Sequence, residues 1–149
     1  MKRLTILLIA FLLVSCSIPT PMQIAASAEE FCDDNEIYDF YDPFLVLLQE
    51  YYDQTPVTAA APKISMADQI GRLQEIRRNV EGLSTNQCTI KLQSALINAM
   101  NNSINGFLAL LSGEPDSVQE TFFSEGTRFI RQVNVELARL ADCLPNCKP

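Results

Sequence analysis

The chain has 149 residues, 48% of them hydrophobic, with no histidine and no tryptophan, and a formal charge of −7. The absence of histidine excludes the usual Ser-His and Cys-His catalytic pairs, the Glu-x-x-His ligands of di-iron bundles, histidine zinc motifs and the C-x-x-C-H haem motif. The acidic balance argues against nucleic acid as a partner and against docking on anionic lipid through basic residues.

Residues 1–16, MKRLTILLIAFLLVSC, open with Lys2 and Arg3 and continue as an apolar run in which Thr5 is the one polar interruption before Ser15. A basic start followed by a short apolar run is the layout of an export signal. From Leu4 to Val14 the run is eleven residues, against about 20 needed for a helix to span a bilayer.

The run closes on Leu13-Val14-Ser15-Cys16, which resembles the lipobox of bacterial lipoproteins: an aliphatic residue, a variable one, a small one, then a cysteine directly behind the apolar stretch. The resemblance covers the first sixteen residues. It implies that the Cys16 thiol receives a diacylglycerol, that the signal peptide 1–15 is removed, and that the new amine is acylated. Ala26-Ser27-Ala28 competes as an A-x-A site for ordinary signal peptidase, though it lies well behind the apolar run with Pro19 and Pro21 between. Cleavage there discards Cys16 and gives a secreted protein. An uncleaved anchor is a third reading.

The lipoprotein reading makes residues 16–28 a lipidated cysteine and a tether. The tether is uncharged and rich in Pro and small residues. Twelve residues reach at most about 40 Å, and two or more acyl chains make an anchor stable. The protein is expected at the cell envelope, outside the cytoplasmic membrane, or secreted if cleaved after Ala28.

Residues 29–149 suit one domain with one core. Lys2 and Arg3 are the only charges before Glu29, so this part holds nine basic and eighteen acidic residues, a charge of −9. Of the five cysteines, Cys16 leaves the thiol pool under either cleavage. Cys32, Cys88, Cys143 and Cys147 remain, an even number in an oxidising compartment, which points to disulfides. The rival, a four-thiolate zinc site, lacks paired C-x-x-C knuckles. No transition metal and no cofactor is expected.

In chain order, residues 29–42 are acidic. Asp33 and Asn35 begin an EF-hand spacing, but Ile37 breaks it and no Gly follows, so a solvated helix start is preferred over calcium. Phe31, Ile37, Phe40, Phe44, Leu47, Leu48 and Tyr51 recur at helical spacing. Pro43 either kinks this first helix or sits in the first turn of a second one capped by Asp42. The aromatics Tyr38, Phe40, Tyr41, Phe44, Tyr51 and Tyr52 either line a ligand pocket or, more simply, supply core and rim. Residues 54–63, QTPVTAAAPK, read as a loop.

Ser65 is the expected cap of the second helix, with Met66, Ile70, Leu73, Ile76 and Val80 as its buried stripe and Gly82 at its end. Ser84 with Gln87 forms a capping box for the third helix, which runs to about Ser112 with Cys88, Leu92, Leu96, Met100 and Phe107 facing inward. Asn101-Asn102-Ser103 matches a glycosylation sequon by chance. After Gly113 and Pro115, Ser117 with Glu120 caps a fourth helix whose face carries Val118, Phe122, Phe129, Ile130, Val133, Leu137 and Leu140.

Four successive helices predict an all-α fold: an antiparallel up-down four-helix bundle stapled by two disulfides. The four cysteines then share one pole. With the turn between the third and fourth helices centred near Asp116, Cys88 is level with Cys143 and Gly106 with Gly126, at about 1.5 Å per residue. The pairing expected is Cys88–Cys143 and Cys32–Cys147. The two glycines mark either a close helix crossing or two tolerated residues. No spacing singles out a catalytic pair. The expected function is therefore non-catalytic: a binding or structural module at the envelope, with a possible protein partner, or alternatively a carrier of a small apolar ligand.

Overall fold

Asp33 is extended and its carboxylate accepts a hydrogen bond from the Asn35 amide at 2.8 Å, so it caps the helix that follows. In the computed structural model, which describes residues 32–144, four helices carry most of the backbone, and no strand occurs among the described residues. They are α1 (Asp34–Ala60), α2 (Lys63–Glu81), α3 (Ile90–Ser112) and α4 (Asp116–Cys143). The fold is an all-α helical bundle. The signal peptide, Cys16, the tether and Cys147 lie outside the described residues.

α1 is one helix through both Pro43 and Pro56, where the sequence led us to expect a loop over residues 54–63. A proline removes one backbone hydrogen bond and crowds the carbonyl a turn earlier. Hydroxyls brace the turns around Pro56: Thr55 donates to the Tyr51 carbonyl at 2.7 Å and Thr58 to the Gln54 carbonyl at 3.0 Å. Gln54 reaches across to Gln69 of α2 at 2.9 Å. The connection to α2 shrinks to Ala61 and Pro62.

The caps also differ from expectation. Pro62, not Ser65, precedes α2, and the Ser65 hydroxyl donates back to the Pro62 carbonyl. Before α3, Asn86 and Thr89 replace Ser84 and Gln87. The Asn86 side-chain oxygen accepts from the Cys88 and Thr89 amides at 2.9 and 3.1 Å, and the Thr89 hydroxyl accepts from the Asn86 amide at 3.1 Å. Gly113 at φ 78° ends α3 in the left-handed conformation that a side chain disfavours, and the Glu114 amide returns to the Ala109 carbonyl. Pro115 opens α4, two residues ahead of Ser117.

The core is built mainly by α1, α2 and α3, and α4 adds Val133 and Leu140 to it. Ile37, Phe40, Phe44, Leu73, Leu92 and Leu96 are among its fully enclosed side chains. The Phe40 and Phe44 rings stack with centroids 5.1 Å apart. Gln93 is buried and donates to the Val80 and Leu83 carbonyls at 2.8 and 3.1 Å, which satisfies the end of α2 from α3. α4 approaches closely only α3. Its fully buried residues are Gly126, Val133 and Leu140, one every seven residues, the interval of a narrow helix–helix seam.

The register of the α3–α4 hairpin corrects two expectations. Its turn centres on residue 114, midway between Ser112 and Asp116, rather than on Asp116. Moving the centre by two residues moves every partner by four, about 6 Å along a helix. Cys88 therefore lies opposite Arg139, whose guanidinium donates to the Cys88 carbonyl at 2.6 Å. Gly106 lies against the Phe123 ring and Gly126 against Ser103 and Ala99. Cys88 does not pair with Cys143, nor Gly106 with Gly126. A close crossing is nonetheless present, with each glycine making room for the other helix. A Cβ on Gly106 would come within 2.7 Å of the Phe123 ring.

Candidate functional site

Cys88 bonds to Cys32, which also rules out the expected Cys32–Cys147 pair. It is the one disulfide lying wholly among the described residues. The bond ties the start of α1 to the turn before α3, and a hydrogen bond from Asn86 to Glu36 at 3.1 Å lies beside it. Cys143 lies in the last turn of α4.

Of the aromatics on α1, Phe40, Phe44 and Tyr51 are buried while Tyr38 and Tyr52 are exposed, so core and rim describe them. Tyr51 has a polar role that its spacing did not reveal. Its hydroxyl lies 2.7 Å from the Ser103 hydroxyl of α3, inside the protein. Burial pushes the Tyr51 phenol above its ordinary value, and the Ser103 hydrogen bond offsets part of that rise. A phenol held neutral this way is not a ready base near neutral pH. Ser103, the last residue of the sequon-like triplet, is buried.

Because α4 leans on α3 alone, clefts run along both of its sides. One lies between α1 and α4, about 290 Å³, with Tyr51, Tyr52, Pro56, Phe123 and Ile130 around the Ser103–Gly126 contact. The other, about 640 Å³, is an open groove along the outer side of the α3–α4 hairpin. Ile90, Lys91, Ala95, Arg128, Arg131 and Val135 line most of it. This places three cations together, beside the Glu136 carboxylate, on an acidic protein. Arg128 is engaged by Glu125 at 2.7 Å and lies 4.1 Å over the Phe129 ring. Lys91 and Arg131 make no ion pair among the described residues. The sequence reading missed this groove, because Lys91 and Arg131 are 40 positions apart and only the hairpin register joins them.

Among the described residues no three His, Cys, Asp or Glu side chains are placed to share an ion, and no helix is long and apolar enough to cross a membrane. No family model, no curated protein and no solved structure matches the chain.

Proposed function

We propose that this protein is an exported, lipid-anchored, non-catalytic binding module at the cell envelope, outside the cytoplasmic membrane. Cys16 carries the anchor, residues 16–28 form the tether, and residues 29–149 form the binding domain with its helices in up-down order. The observation that carries the binding role is the contrast between a filled core and the open grooves beside α4. A core occupied by Phe40, Phe44, Leu92 and Leu96 leaves recognition to the surface, where apolar and charged side chains share one groove. A second staple completes the domain. With Cys16 acylated and Cys32 joined to Cys88, Cys147 is the cysteine left for Cys143.

Two measurements test this reading together. Cys16→Ala is expected to abolish acyl labelling and leave the precursor uncut at this site. A mature protein beginning at Glu29 by mass spectrometry would sink the lipid anchor. Co-purification from membranes under mild detergent is expected to bring down a protein partner.

The second reading, a carrier of a small apolar ligand, draws on the aromatic cleft between α1 and α4. Its volume of about 290 Å³ is at the foot of the range for ligand pockets, roughly 300–1,000 Å³. Saturable uptake of an apolar fluorophore, lost in Tyr52→Ala, would favour it.

A further inference from the structure

The outer groove has a counterpart on the same molecule. On α4, Arg128, Arg131 and Val135 stand at positions i, i+3 and i+7, and all three line the groove. On α1, Asp39, Asp42 and Val46 stand at the same spacing and all three are exposed. The charges are opposite at the first two positions, and the third is an uncovered valine in both, 66% exposed at Val135 and 59% at Val46. Residues at this spacing share one face of a helix. The two stripes do not meet within one molecule, because α1 and α4 make no close approach.

We propose that the α3–α4 groove is a docking surface for the acidic face of α1 from a second copy of this chain. Laid parallel, the helices bring Asp39 to Arg128, Asp42 to Arg131 and Val46 to Val135 in one register. Lys91 from α3 adds a third cation, and Ile90, 49% exposed, widens the apolar floor. Tyr38 and Leu45, also exposed, extend the apolar part of the α1 face. The pattern is helix-in-groove recognition, with charge setting the register and apolar contact supplying adhesion. Nothing in it depends on the lipid anchor or on another protein partner, so it stands or falls separately from the proposed function.

The test is a charge exchange in the full chain, followed by sedimentation in density-matched detergent. One variant carries Arg128→Glu and Arg131→Glu, the other Asp39→Lys and Asp42→Lys. All four positions are exposed, and far-UV circular dichroism confirms that each variant keeps its helices. The parent chain is expected to self-associate, and more weakly as salt rises. Each variant alone should associate roughly tenfold more weakly or worse, because like charges then face each other. Mixed together, the two variants should associate again, since the exchanged charges are complementary in both directions. Val135→Ser, which leaves every charge in place, should also weaken the parent assembly. A parent chain that stays monomeric at high concentration and low salt overturns the proposal. So does a mixture no more associated than its components.

Discussion

α1–α3 and α4 are held by different means. The first three helices enclose Ile37, Phe40, Phe44, Leu73, Leu92 and Leu96 from several sides, and a disulfide closes one end. α4 rests on one neighbour through a seam of Gly126, Val133 and Leu140, with Phe122, Phe129, Ile130 and Leu137 only part-covered. Burial per helix is what sets local stability, so the fold has a firm part and a looser one. Open clefts flank the looser part.

Perturbations of the firm part should cost most. Phe44 is fully enclosed, and Phe44→Ala should destabilise the whole fold by about 3–5 kcal/mol, read from denaturant midpoints. If this variant merely loosened α4, the division drawn here would be wrong. Next is the disulfide. Cys32→Ser with Cys88→Ser opens a loop of sequence separation 56. In the chain-entropy model that removes up to about 4 kcal/mol.

Gly106→Ala should act on the looser part alone. The new methyl meets the Phe123 ring, and overpacking of this kind costs about 1–3 kcal/mol, less about 1 for the better helix former. Amide exchange should then quicken along α4 and stay unchanged in α1. Equal acceleration in both would show that the seam and the core unfold together.

The smallest effect belongs to Tyr51→Phe, which leaves the Ser103 hydroxyl without its partner and should cost about 1 kcal/mol. This pair also gives the fold an alkaline edge. The Tyr51 phenol ionises at higher pH in the folded chain than in the unfolded one. Its contribution is therefore complete below the ordinary value of 10.0 and lost as pH rises through the raised folded value. The phenylalanine variant should lose less stability across that alkaline range than the parent.

All four helices were legible as apolar stripes, and so was the shared pole of Cys32 and Cys88. What escaped were features fixed by side-chain compensation and by a shift of about one turn. A proline usually ends a helix, but at Pro56 the Thr55 and Thr58 hydroxyls hold the neighbouring turns, and local propensity does not contain that compensation. Centring the α3–α4 turn on Asp116 instead of residue 114 displaced it by two residues. That was enough to send Cys88 to Cys143 on paper and to hide the groove shared by Lys91 and Arg131. Tyr51–Ser103 escaped because a buried hydroxyl pair depends on the α1–α3 register, which no stripe encodes.

The Cys32–Cys88 bond also decides how the protein answers a pull. Tension entering the chain ahead of Cys32 crosses the sulfurs to Cys88 and bypasses everything between. Of the four helices, only α3 and α4 then lie on the load path. α1 and α2 hang from it as a closed loop whose contour, about 200 Å at full extension, stays locked. Stretching the oxidised protein between its ends should therefore yield a short extension, and reduction should lengthen it by that hidden amount.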